Sequence, residues 1–144
     1  MDYRVERLRT PGECEIFAMN ALARQRPDLA MEAQRKAVDL QAATHEASSP
    51  LEAEAFAALY AYEALLARKN HKKTRATKLW AVVKNRGAIE AIRQAVSAPA
   101  EPEALTALKD LGLESHAFEA LVLRHAASFD DDTVRVSRTR LGEG

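Results

Sequence analysis

A chain of 144 residues can bury about two-thirds of the surface it exposes when unfolded, so one core of ordinary size is expected without help from disulfides or metals. Of its residues 47% are apolar, yet 29 are alanine, and five glycines with five prolines are too few for the turns of an all-β protein. Lys and Arg number 21 and Asp and Glu 21, giving no net charge, while one cysteine excludes an internal disulfide and no run of roughly 18 apolar residues offers a membrane span.

The first nine residues are charged and lack the apolar centre of a signal peptide, which leaves a cytoplasmic location as the expectation. They read as an N-terminal arm ahead of a single helical domain over 10–141, with 142–144 as a frayed tail.

Thr10-Pro11-Gly12-Glu13 opens the first helix with an N-cap hydroxyl, a proline at the first helical position and a glutamate three residues after the cap. Cys14, Ile16, Phe17 and Ala21 are expected to line its inward stripe, and Pro27 stops it. A second helix runs from Pro27 to about Ala43, with Leu29, Ala33, Ala37 and Leu40 at helical spacing and Arg35, Lys36 and Asp39 on the wet side. Ser49-Pro50-Leu51-Glu52 repeats the capping chemistry and starts a third helix, to about Lys69, with Ala55, Leu59, Tyr62 and Leu66 as its stripe. The shared demands of a cap account for the likeness between the two starts, so no internal repeat is read from it.

A fourth helix is expected from about Thr74 to Arg86, ended by Gly87, and a fifth from Ala88 to about Ser97. Ala98 to Pro102 is a linker. A sixth helix runs from about Pro102 to Leu111 and closes on Gly112; a seventh opens near Ser115 and reaches about Ala127. Thr133 to Ser137 alternates like a strand, but a lone strand has no partner, and Asp130-Asp131-Asp132 suits a helix N-terminus, so helix is preferred for 133–141. The fold expected is therefore all-α, a compact irregular bundle of about seven or eight short helices.

Charge carries the functional signal. Residues 68–93 hold nine basic side chains and one acidic, a local excess of eight in a neutral chain. Arg68, Lys69, Lys72, Lys73, Arg75 and Lys78 fall within eleven residues with no acid among them, and Lys84 follows. On the fourth helix Thr77, Lys78, Ala81, Lys84 and Asn85 share the outer side, and Trp80 sits at its border with the apolar stripe. Lysines and arginines neutralise phosphates, and a tryptophan can stack on a base, so the candidate nucleic-acid-binding set is Arg68, Lys69, Lys72, Lys73, Arg75, Lys78, Trp80 and Lys84. A solvated face beside a core tryptophan is the plainer reading of the same residues.

The segment 68–86 reads as a basic helix-turn-helix-like region, but the standard motif fits Leu79–Val96 poorly: Arg86 and Arg93 stand where that motif wants apolar residues. His116 and Glu119 share a helical face, too few ligands for zinc. Cys14 lies in a helix's first turn, where burial is the ordinary role. No catalytic residue, metal site or cofactor is assigned. The expected function is that of a small non-catalytic nucleic-acid-binding or accessory protein, with DNA or RNA as partner and no membrane. An adaptor or inhibitor meeting an acidic protein surface is the alternative, and an enzyme with dispersed catalytic groups a second; the sequence leaves the oligomeric state open.

Overall fold

The computed structural model describes residues 1–142; the expected fraying of the tail beyond Gly142 lies outside the described residues. Among them are nine α-helices and no strand: α1 (Tyr3–Glu6), α2 (Pro11–Ala23), α3 (Pro27–Ala42), α4 (Pro50–Asn70), α5 (Thr77–Arg86), α6 (Ala88–Ser97), α7 (Ala104–Asp110), α8 (Phe118–Arg124) and α9 (Asp131–Arg140). Two 3-10 turns, Glu114–His116 and Ala126–Ser128, flank α8. The fold is an all-α bundle, as the composition predicts.

Both expected N-caps form. The Thr10 hydroxyl accepts from Glu13 N at 3.1 Å, and Ser49 Oγ accepts from Glu52 N at 3.1 Å. Each glutamate reaches back one residue past its cap, Glu13 to Arg9 N at 2.9 Å and Glu52 to Ser48 N at 3.0 Å. Replacing Thr10 or Ser49 with alanine leaves a backbone donor without its partner and costs about 1 kcal/mol each. Urea unfolding midpoints that do not move in either variant would contradict this.

α4 is the central element. Nine of its 21 residues are buried, and it packs against α3, α6, α7 and α8. Along one side Leu51, Ala55, Phe56 and Leu59 meet Ala88, Ile92 and Val96 of α6 and Leu121 and Val122 of α8. Along another, Ala57, Ala61 and Leu65 meet Val38 of α3, Leu108 of α7, and Leu113 and Ala117. The alanines at these contacts let helices approach closely, which is how a chain with few large apolar residues builds a dry interior.

The helices turn sharply at their ends. α2 closes with Gln25 in the left-handed region (φ 60°) and Arg26 N donating to Ala21 O at 2.8 Å, which folds α3 back onto α2. α4 closes in the same way at His71 (φ 55°), with Lys72 N on Ala67 O. α5 and α6 are joined by Gly87 alone, at φ 95° and ψ 164°, a conformation open only to glycine. Gly112 (φ 75°) brings the α7–α8 connection against α3, where a Cβ would stand 2.6 Å from Met31 Cβ.

Several expectations are corrected. Ile16 does not face inward; it is exposed on the outer side of α2. Arg35 is not on a wet side but half-buried, donating to Gly112 O at 3.2 Å. The single seventh helix is instead a short α8 between two 3-10 turns. His125 leaves helical geometry (φ −124°, ψ 40°) because Glu54 of α4 binds both it and Arg124. The ambiguous tail is helix, capped by Asp130. Within residues 1–9, α1 docks on α3 and buries Val5 completely.

Candidate nucleic-acid interface

The basic segment spans the last turn of α4, the connection 71–76 and the outer face of α5. Its foundation is an acid that the sequence reading did not single out. Glu63 is buried on α4, four residues after Leu59, and its Oε2 accepts three hydrogen bonds: from Arg75 Nε at 2.9 Å, Ala76 N at 2.8 Å and Trp80 Nε1 at 2.7 Å. Ala76 is the residue that caps α5, so this carboxylate sits against the helix N-terminus, where negative charge is favoured. The expected start of this helix near Thr74 moves to Thr77 for the same reason. Thr74 is engaged with Lys72 O, and the Ala76 N–H at the cap of α5 is held by Glu63.

Trp80 belongs to an aromatic cluster. Its ring stacks at 5.4 Å from that of His45, which in turn stacks on Phe56 at 4.1 Å, and Tyr60 tilts against it at 5.2 Å. The Arg75 guanidinium lies 5.6 Å from the Trp80 ring centroid. His45 Nε2 and Tyr60 Oη share a hydrogen bond of 2.8 Å, and burial, with the nearby Arg75 charge second, pushes the His45 pKa down. Both polar and apolar parts of Trp80 are thus engaged by the protein's own groups.

The remaining candidates divide by whether an acid already holds them. Arg68 faces Asp110 at 3.7 Å, Lys69 pairs with Glu101 at 2.8 Å, and Arg75 pairs with Glu63. Lys72, Lys73, Lys78 and Lys84 are exposed and form no ion pair among the described residues. Thr77, Lys78, Ala81, Lys84 and Asn85 do share the exposed face of α5, while Leu79, Val82 and Val83 turn inward and are partly buried. Neither joint has the three- or four-residue turn of the standard DNA-binding motif: 71–76 is longer, and Gly87 is a single residue.

Other chemistry-bearing residues are spent structurally. His125 Nε2 and Arg124 Nε bind the two oxygens of Glu54 at 2.6 and 2.8 Å. Partial burial works to raise the Glu54 carboxyl, but these two hydrogen bonds outweigh it and hold its pKa below the usual value. His116 and Glu119 do not act together: His116 Nε2 lies 3.7 Å from Asp39, while Glu119 accepts from Arg140 at 3.2 Å. Burial pushes the Cys14 thiol up, so it stays protonated at neutral pH. Among the described residues no group of three or more His, Cys, Asp or Glu is placed to hold a metal ion, and no helix is long and apolar enough to cross a membrane.

A groove of about 560 Å³ opens beside the basic face, floored by Tyr62 and Leu65 and walled by Leu79, Val82, Leu105 and Phe118. Its charged groups are largely matched within the chain, Glu119 with Arg140 and Glu101 with Lys69. Comparison with protein-family models, with curated proteins and with solved structures finds no match.

Proposed function

We propose that the chain binds nucleic acid through the phosphate backbone, using Lys72, Lys73, Lys78 and Lys84. The observation that supports the reading is that these four lysines stand exposed and, among the described residues, unpaired on one connection and one helix face, while Arg68, Lys69 and Arg75 answer acids of the chain. Phosphate contacts of this kind position a protein on a duplex without reading its sequence. Trp80 is left out of the contact set because its indole N–H and its ring are already taken.

Binding to duplex DNA or RNA is expected to weaken steeply with salt, each neutralised phosphate adding about 0.9 to the log–log slope on B-form DNA. Fluorescence anisotropy across a salt series reads this directly. The combined variant Lys72→Ala, Lys73→Ala, Lys78→Ala should flatten the slope by roughly 2 to 3 and weaken unrelated sequences alike, with the circular dichroism spectrum unchanged. Absence of binding to single- or double-stranded DNA or RNA at low salt ends this reading and leaves an acidic protein surface as the partner for the same lysines.

A further inference from the structure

α2 has an unusual composition for its place in the fold. A helix apolar on all sides is ordinarily buried, yet α2 lies at the periphery, resting on α3 through Cys14, Phe17, Ala18 and Ala21. Its outer side carries Ile16, Met19 and Leu22, exposed by 63%, 70% and 58%. With about 100° between successive residues, Ile16, Met19 and Ala23 run along one line pointing away from α3, with Leu22 on one flank and the exposed, polar Asn20 on the other. Singly exposed apolar residues are ordinary; a line of them along one helix is a contact surface.

Charge says what covers it. The charged residues of α2 are Glu13 and Glu15, both near its start, and Arg24 and Arg26 follow its end. Glu15 and Arg24 form no ion pair among the described residues. This pattern is complementary to itself when reversed. We infer that two copies of the chain associate through α2, packed antiparallel about a twofold axis near Met19.

That axis sets Met19 close to the partner's Met19 and Ile16 opposite the partner's Leu22 and the partner's Ala23. It also brings the acidic first turn beside the partner's Arg24, the unpaired cation at that end among the described residues; Arg26 is already held by Asp28 of its own chain at 2.9 Å. A parallel pair would set acid against acid. The result is an isologous contact, with the same patch used by both copies. The absence of net charge means that two copies meet without long-range repulsion. One face of a 13-residue helix is about 20 Å long, less than the surface of a standard interface, so the association is reversible and weak.

Sedimentation velocity of the full chain, from about 10 μM to about 1 mM, is expected to show the average mass climbing from monomer toward twice the monomer. Met19→Asp should stay monomeric throughout with an unchanged circular dichroism spectrum, because Met19 has little to lose in the folded monomer. Arg24→Glu should weaken the dimer several-fold at low salt, the difference shrinking as salt rises. Met19→Cys should give a disulfide-linked dimer under mild oxidation, while Ala53→Cys, at an exposed position of α4, should not. This last pair does not depend on Met19→Asp folding well. The inference is overturned by a wild-type chain that stays monomeric, by a dimer that Met19→Asp leaves intact, or by failure of Met19→Cys to cross-link; an Arg24→Glu dimer of unchanged strength overturns the antiparallel arrangement.

Discussion

Replacing Glu63 with leucine is expected to lower the free energy of unfolding by about 3 kcal/mol. Three donors lose their acceptor at once: the Ala76 amide, the Trp80 indole N–H and the Arg75 guanidinium. The amide and the indole are shielded from water and bear most of the cost. Arg75 is 57% exposed, so solvent replaces much of its share. Glu63→Gln should cost less, since an amide oxygen can still accept while the charge is lost. Urea denaturation of the two variants gives the ordering directly. A leucine variant within about 0.5 kcal/mol of the wild type would show that the three bonds contribute little net stability.

Trp80→Ala is expected to be the second large loss, about 3 kcal/mol, because an aromatic side chain packed on His45, Phe56 and Tyr60 leaves a cavity that a helix surface closes only in part. Under conditions where the variant remains folded, its affinity for nucleic acid should match the wild type, since phosphate contacts need no stacking platform. The opposite pattern, unchanged stability with weakened single-strand binding, would return Trp80 to the contact surface and move the proposed ligand toward single strands. Thermal unfolding and anisotropy on the same preparation separate the two roles.

Helix starts written in local chemistry were legible. Thr10-Pro11 and Ser49-Pro50 each announce a cap, and Asp130 settled the tail as helix against its alternating pattern. Features decided by long-range partners were not. The break at His125 depends on Glu54, 71 residues earlier, and the late start of α5 depends on Glu63, 13 residues before Ala76. Glu63 did leave a trace: it follows Leu59 by four residues, on a buried stripe, just before a run of cations. An acid in that position needs donors, and the neighbouring segment has them. Ile16 was misplaced because α2 is apolar on both sides, so spacing alone could not tell its inner face from its outer one. Which lysines stay unpaired was equally beyond reach, because Glu101 and Asp110 come to Lys69 and Arg68 only through the fold.

The central position of α4 also grades the molecule's resistance to opening. The amide protons of its buried middle are expected to reach solvent only when contacts with α3, α6, α7 and α8 are given up, so their exchange with deuterium should report the global unfolding free energy. α2 leans on α3 through a small cluster and can detach while the rest holds, so its amides exchange through a cheaper, partial opening. Deuterium exchange is therefore expected to separate two groups of amides, with the faster one at the N-terminal edge.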